Sequence, residues 1–191
     1  MNGPLEQLQQ WIDDAGGMER LEAVAMCIST VGGDLKPSSR MVLLRGLDDR
    51  GLRFYTSYGS RKAQQLRENP SAAALFYWPS LQRQVRIEGT VSETSEDDSD
   101  EYFASRPRGH QLAAWASEQS EPLAAYGVLE ERYAHFDARF EGEEVPRPHS
   151  WGGYLLQPSY FEFWENRPNR MHSRVTFALK GEGWTTALLQ P

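Results

Sequence analysis

The most chemically informative stretch of this sequence spans residues 40–62, where cationic and hydroxyl side chains surround short apolar runs. It contains Arg40-Met41-Val42-Leu43-Leu44-Arg45, then Phe54-Tyr55-Thr56-Ser57, then Ser60-Arg61-Lys62. Guanidinium, ammonium, hydroxyl and backbone N–H groups beside a helix start are the donors that bind a phosphate monoester. The stretch therefore predicts a site for a small phosphorylated ligand.

The charge of the whole chain favours a small anionic ligand over a nucleic acid. Twenty Lys and Arg against 27 Asp and Glu give a net charge of -7 and a pI of about 5.2, which argues against a polyanion as the main partner. The mean hydropathy is -0.63 and no apolar run is long enough to cross a membrane. We see no secretory leader, and we predict that the single Cys27 is buried and inert, so we expect a cytoplasmic protein.

Short strands with Gly- and Pro-containing turns must position these side chains. Strands are predicted over residues 23–31, 39–47, 52–56, 72–78, 84–91, 154–157, 160–164, 175–179 and 184–188, and helices over residues 4–15, 60–68, 95–104, 109–116 and 122–140. This pattern favours a mainly β fold with α, an antiparallel barrel with flanking helices. We expect one domain over residues 1–191, with an N-terminal helical segment (1–20) and C-terminal strands (142–191) that complete the barrel.

Two predicted helix starts carry N-cap signals. Ser60 stands just before a helix that opens with Arg61 and Lys62, so its hydroxyl would cap the N-terminus that faces the phosphate. Ser95 and Asp98 form a capping box that opens another helix.

Further motifs follow one another along nearly the whole chain. They are Arg83-Gln84-Val85, Tyr102-Phe103-Ala104-Ser105-Arg106-Pro107-Arg108, Trp115-Ala116-Ser117-Glu118-Gln119-Ser120, Trp151-Gly152-Gly153, Phe161-Glu162-Phe163-Trp164 and Arg170-Met171-His172-Ser173-Arg174. Together with the segment 40–62, this order resembles the pyridoxine/pyridoxamine 5'-phosphate oxidase family, FMN enzymes that make pyridoxal 5'-phosphate. The resemblance implies a split antiparallel β-barrel of the FMN-binding type, a homodimer with two FMN molecules at its interface, and no metal.

The resemblance also implies which residues bind FMN. Arg40, Ser60, Arg61 and Lys62 would hold its phosphate, and the backbone of residues 41–44 would lie beside the flavin ring. The other FMN positions that match the family are Met41, Val42, Leu43, Leu44, Arg45, Tyr55, Thr56, Gln84, Gln119, Ser120, Trp164 and Arg174. Glutamine amides can pair with the polar edge of the ring, and a nearby cation stabilises a reduced anionic flavin.

The substrate residues implied by the resemblance are Arg45, Tyr102, Arg106, His110, Arg170 and His172. Of these, Arg170 and His172 would take the catalytic positions, and their spacing puts both on one face of an extended segment. The implied reaction oxidises the C4' amine or alcohol of the phosphorylated pyridine, and O2 then reoxidises the flavin to give H2O2.

Several positions differ from the family pattern. Arg45 stands where the family typically has Lys, and His110 stands where it typically has Ser. The N-terminus lacks the basic segment that covers the substrate in longer members, and Leu188-Leu189-Gln190 replaces the usual cationic ending. These differences leave two alternatives: a related flavin oxidase acting on another planar anion, of the phenazine-pathway type, or a non-catalytic protein that binds FMN or pyridoxal phosphate.

Overall fold

The computed structural model describes residues 3–191, with the backbone alone for residues 18–22. The helices are α1 (Pro4–Ala23), α2 (Arg61–Glu68), α3 (Glu96–Ser105), α4 (Arg108–Ala116) and α5 (Tyr126–Arg139). The strands are β1 (Ala25–Val31), β2 (Pro37–Leu43), β3 (Gly46–Asp48), β4 (Gly51–Ser57), β5 (Ser71–Trp78), β6 (Arg83–Glu93), β7 (Trp151–Glu165), β8 (Ser173–Lys180) and β9 (Gly183–Leu188). Short 3-10 turns cover Pro79–Leu81 and Pro168–Arg170. Within the described residues, no helix is both long and apolar enough to cross a membrane.

All the strands join one antiparallel sheet in the order β2-β1-β5-β6-β7-β4-β3, with β8 paired to β7 and β9 paired to β8. The strands β2 and β3 lie at opposite ends of this order, yet only Leu44 and Arg45 separate them in the chain. The backbone N–H of Leu44 donates to Val24, beside β1, and that of Arg45 donates to Arg53 on β4. The sheet must therefore curl until its ends meet. This confirms both the antiparallel barrel predicted from the strand pattern and the split barrel implied by the resemblance.

The barrel interior is the larger of two apolar clusters. It contains the fully buried Phe54, Phe76 and Trp78, and Leu8 of α1 covers it. Burial alternates along β1 and β5, as expected for strands with one face on the core. A smaller cluster joins the outer helices to the start of β7; it consists of Phe103, Leu112, Phe140, Val145 and Trp151.

Several predicted element boundaries were wrong. The first helix continues through Gly16-Gly17 to Ala23, because good helix formers follow this pair and its glycines cost only about 1 kcal/mol each. The strand predicted over residues 39–47 is β2 and β3, divided where Leu44 and Arg45 change partners. The helix predicted from Pro122 begins at Tyr126.

The two strands predicted on either side of Pro158 are one strand, β7. One edge of β7 pairs with β6 along its whole length, while the other edge pairs first with β4 and then with β8. The register shifts between Glu88 and Gly89, next to Pro158. A bulge of this kind accommodates a proline inside a strand, so the expected break does not occur.

Candidate active site

A cavity of about 1020 Å³ lies where β2, β4 and the start of α2 meet the junction between α3 and α4. Most of the residues singled out from the sequence line it: Arg40, Met41, Val42, Leu43, Arg45, Tyr55, Thr56, Arg61, Lys62, Tyr102, Arg106, His110, Gln119 and Ser120. The strand β2 has a sheet neighbour on one side only among the described residues. Its other edge therefore has backbone N–H and C=O groups free to bind a ligand.

The charge on the cavity wall is opposite in sign to that of the protein. Five cationic side chains line it, namely Arg40, Arg45, Arg61, Lys62 and Arg106, and no described aspartate or glutamate does. Positive charge gathered in a concave, partly desolvated site attracts anions and raises their local concentration. The cavity is therefore built for a ligand with at least one anionic group.

Lys62 lies deepest in this group of cations. It is only 7 % exposed, and its Nζ donates to Thr56 Oγ1 at 2.8 Å, Ser60 Oγ at 3.2 Å and Gln119 Oε1 at 2.7 Å, all of them neutral acceptors. Burial and the nearby Arg40 charge lower the pKa of Lys62 to about 8. Burial and the Arg61 charge likewise lower the pKa of Arg40. These cations repel one another in the absence of a counter-ion, so an anion at this point would stabilise the fold.

The N-terminus of α2 borders the same group. The backbone N–H of Arg61 donates to Ser120 Oγ at 3.2 Å, and Ser120 has a positive φ of 77°. Ser60 is the N-cap residue of α2, as predicted, but the expected side-chain hydrogen bond is not made: its Oγ donates to the Ser57 carbonyl at 2.7 Å and accepts from Lys62. Ser60 instead helps hold Lys62, while Ser95 does cap α3 by accepting from the Asp98 N–H at 3.1 Å.

Aromatic rings form the opposite wall. Tyr55 and Tyr102 stack with centroids 3.9 Å apart, and Trp151 lies parallel to both. The guanidinium carbon of Arg106 lies 4.5 Å from the centroid of Trp151. Its Nη1 is buried without a hydrogen-bond partner among the described residues, and burial lowers the pKa of Arg106. A buried, unpaired donor is costly, which makes this nitrogen a second point for an anionic group.

Comparison with known proteins decides the family. Residues 17–139 match the family model "Pyridoxamine 5'-phosphate oxidase", and residues 151–191 match "Pyridoxine 5'-phosphate oxidase C-terminal dimerisation region". A pyridoxine/pyridoxamine 5'-phosphate oxidase of Rubrobacter xylanophilus is 50% identical over 98% of this chain and 87% of its own length. One from a Cyanothece species is 48% identical over 98% of this chain and 88% of its own length. The chain belongs to the pyridoxine/pyridoxamine 5'-phosphate oxidase family.

Solved structures agree with this membership. The chain superposes with a TM-score of 0.94 and 31% identity on PhzG from Burkholderia lata in complex with tetrahydrophenazine-1-carboxylic acid, covering 100% of this chain and 94% of the other. A pyridoxamine 5'-phosphate oxidase-related, FMN binding protein from Nostoc punctiforme has the same fold, with a TM-score of 0.79 at 18% identity and complete coverage of both chains.

Membership of the family makes the chain a flavin oxidoreductase with FMN as its cofactor. The cavity fits that cofactor. Three mutually repelling cations, Arg40, Arg61 and Lys62, meet the charge of a phosphate, and the open edge of β2 offers backbone groups to a planar ring.

A second group of predicted residues lies outside this cavity. Gln84, Trp164 and Arg174 stand opposite one another on β6, β7 and β8. Since directly opposed residues share a face, the three form a row across the sheet. The buried carboxylate of Glu162 holds Arg174, accepting from its Nε at 2.7 Å.

The geometry predicted for the catalytic pair was wrong. Arg170 lies in a 3-10 turn with φ 59°, after Asn169 with φ 58°, so residues 170–172 are not an extended segment with two side chains on one face. The ring of His172 packs 4.7 Å from that of Trp164, and its Nδ1 accepts from the Arg167 N–H at 3.3 Å. His172 thus adjoins the row across the sheet, and neither residue lines the cavity.

Two predicted ligands lie behind the cavity wall. Leu44 is 7 % exposed and Ser60 is fully buried, and neither lines the cavity. Residues that sequence reasoning left out of the site do line it, and they are Ser38, Ser39, Ser105, Pro107 and Trp151. The Trp151-Gly152-Gly153 motif could have pointed to Trp151, because a large aromatic residue beside two glycines often marks close packing.

Proposed function

We propose that the chain is an FMN-dependent oxidase that converts pyridoxine or pyridoxamine 5'-phosphate to pyridoxal 5'-phosphate, with O2 as acceptor and H2O2 as second product. One observation carries the proposal: a cavity lined by five cations and no described carboxylate in a protein of net charge -7. Its two groups of donors suit two phosphates, one on the cofactor and one on the substrate. Full-length similarity to oxidases of these substrates supports the same choice.

In this proposal the inner cations Arg40, Arg61 and Lys62 bind the FMN phosphate, with N–H groups at the start of α2. Thr56 and Gln119, already hydrogen-bonded at 2.8 Å, orient Lys62 toward it. When bound, FMN supplies a two-electron acceptor that takes a hydride equivalent from the substrate carbon and is reoxidised by O2.

The outer donors bind the substrate phosphate. Arg106 offers its unpaired Nη1, and Arg45, Tyr102 and His110 line the cavity nearby. Arg45 keeps the positive charge of the lysine typical of the family and adds a planar fork of donors. The chain's own contribution is to hold the reacting carbon in place and to neutralise the phosphate.

The row outside the cavity contributes to the active site of a second copy of the chain. In a homodimer, Gln84, Trp164 and Arg174 of one protomer would complete the cavity of the other, and Arg170 and His172 would contact its substrate. The match of residues 151–191 to a dimerisation region supports this arrangement, because that region contributes four of these five residues. We also propose that residues 1–191 work as one domain.

A phenazine-type oxidase is the second candidate. The similarity to PhzG over the full chain favours it, as do Arg45 and His110, which alter the donors that face the substrate phosphate. A planar carboxylate could use the same cations.

An aerobic assay of FMN-loaded protein tests the proposal. We expect O2 uptake, H2O2 and aldehyde formation with pyridoxine or pyridoxamine 5'-phosphate. Turnover of a reduced phenazine carboxylate alone would transfer the assignment to the second candidate. Flavin binding without turnover of either substrate would indicate a non-catalytic carrier and contradict both.

Arg170→Ala provides the matching variant. It should lower turnover by about 100-fold while FMN stays bound, since Arg170 is proposed to contact the substrate and not the flavin. Arg167→Ala, three residues earlier and also exposed, is the control and should keep full activity. Loss of flavin in Arg170→Ala would show that its role is misassigned.

A further inference from the structure

A buried hydrogen-bond network connects α2 to the guanidinium of Arg40. Gln65 is 6 % exposed, and its Oε1 accepts from Thr30 Oγ1 at 2.6 Å and from Ser38 Oγ at 2.8 Å. The same two hydroxyl oxygens accept from Arg40, Thr30 from Nη1 at 2.7 Å and Ser38 from Nη2 at 2.5 Å. Gln65 therefore touches Arg40 through two hydroxyls and does not itself line the main cavity.

The network has a fixed direction. A hydroxyl carries one proton, and Thr30 and Ser38 both give theirs to the oxygen of Gln65. Their lone pairs are then left for the guanidinium, which can only donate. Without an acceptor at position 65, each hydroxyl could rotate and turn its proton toward the cation.

This direction determines which donors of Arg40 remain available. Nη1 is used by Thr30 and by the Ile28 carbonyl at 3.3 Å, and one proton of Nη2 is used by Ser38. The Nε–H and the other Nη2–H have no partner among the described residues. These two N–H groups form the parallel fork that matches two oxygens of a phosphate.

The neutral amide also matters for the electrostatics. A glutamate at position 65 would provide the same acceptors but add a negative charge two hydrogen bonds from Arg40. That charge would compete with a phosphate for the cation. Glutamine holds Arg40 while leaving its positive charge uncompensated.

We propose that Gln65 is a positioning residue that directs Arg40, through Thr30 and Ser38, at the phosphate of the flavin and so sets the preference for FMN over riboflavin. The inference rests on the proposed FMN site. Because Gln65 acts on the phosphate alone, its replacement should leave the contacts to the flavin ring unchanged.

Dissociation constants of FMN and of riboflavin, measured by quenching of flavin fluorescence on full-length apoprotein, test the inference. Gln65→Met should raise the Kd of FMN about tenfold, the effect of losing a charge-assisted hydrogen bond, and leave that of riboflavin unchanged. Gln65→Glu should raise the Kd of FMN further. Gln64→Met makes the same neutral replacement on the exposed side of α2, where the side chain of Gln64 bonds only the Gly59 carbonyl among the described residues, and should change neither constant.

Equal weakening of both flavins in Gln65→Met, or no weakening of either, would overturn the inference, since the first indicates a general structural role. In an Arg40→Met background, Gln65→Met should cause no further loss of FMN affinity, and an additive loss would also overturn it. If Gln65→Met does not fold, Ser38→Ala removes one connection of the network and should give the same selective loss. Wild-type protein that binds both flavins equally would instead contradict the proposed phosphate site itself.

Discussion

At the residue scale, the buried ammonium of Lys62 makes cofactor affinity depend on pH. Its pKa of about 8 lies below the ordinary 10.5 because of burial and the Arg40 charge. The second pKa of a phosphate monoester is about 6, so the charged forms of both partners coexist between these values. We predict that the Kd of FMN rises between pH 8 and 9.5, as measured by fluorescence quenching.

The same lowered pKa makes the apoprotein more stable as the pH rises, whereas it makes FMN binding weaker. Since the folded-state pKa of Lys62 is lower than the unfolded one, the unfolded chain binds more protons between pH 8 and 10.5, and the contribution of Lys62 to stability rises across that window. The Lys62→Met variant should bind FMN weakly at pH 7. Its Kd for FMN should not rise between pH 8 and 9.5, and its apoprotein should not gain the stability that Lys62 contributes above pH 8. An unchanged pH profile in this variant would refute the assignment.

Arg106 carries the second prediction at this scale. Arg106→Met should raise the KM for the phosphorylated substrate about 10- to 100-fold, the effect of losing a charged hydrogen bond, while FMN affinity stays constant. Because Nη1 has no hydrogen-bond partner in the described part of the chain, urea unfolding should show little loss of stability. Arg139→Met is the control, since Arg139 also lies over aromatic rings but outside the cavity. A parallel loss of FMN from Arg106→Met would contradict the division into two phosphate sites.

The sequence predicted which cations line the cavity better than it predicted the geometry around them. Arg40, Arg61 and Lys62 were identifiable because residue type and a helix start suffice to suggest phosphate binding. The turn at Arg170 was not, because a positive φ at a non-glycine residue has no local signal and depends on the surrounding structure.

At the scale of the elements, alternation of apolar and polar residues predicted most strands, and turn residues predicted their ends. The failures have two physical causes. The extension of α1 past Gly16-Gly17 is local, because good helix formers follow this pair. The change of partner at Leu44 and the continuation of β7 through Pro158 are decided by pairing between distant segments. Local propensities of about 1 kcal/mol per residue are readily overridden by such contacts.

The bulge beside Pro158 makes Gly89 a sensitive position. A Cβ at Gly89 would lie 2.1 Å from the Gln157 carbonyl oxygen, a backbone atom that cannot move without disturbing β7. Gly89→Ala should therefore lower the free energy of unfolding in urea by about 2–4 kcal/mol. Gly183→Ala is the control and should be nearly neutral, since no described residue lies within 4 Å of its added Cβ. Equal effects of the two variants would show that the close contact is not what matters.

At the scale of the whole molecule, the division of the site residues between the cavity and the β6–β8 row predicts complementation between protomers. Arg61→Ala, in the cavity, and Trp164→Ala, in the row, should each be inactive alone. A mixed dimer has one site with both wild-type halves. Unfolding and refolding the two variants together in equal amounts should restore about a quarter of wild-type activity, since half the dimers are mixed and each has one of two sites intact. Failure to recover activity, with mixed dimers shown by native mass spectrometry, would contradict a shared site.

The two-residue connection between β2 and β3 bears on when FMN can bind during folding. The donors on β2 meet those on β4 and α2 only after strands at opposite ends of the sheet order have been brought together. Closing the sheet requires pairs such as Leu52 with Leu156, and contacts of such high sequence separation are among the slowest to form during folding. We therefore expect FMN to bind after the sheet has closed. Its binding would then stabilise the closed barrel and would not initiate folding.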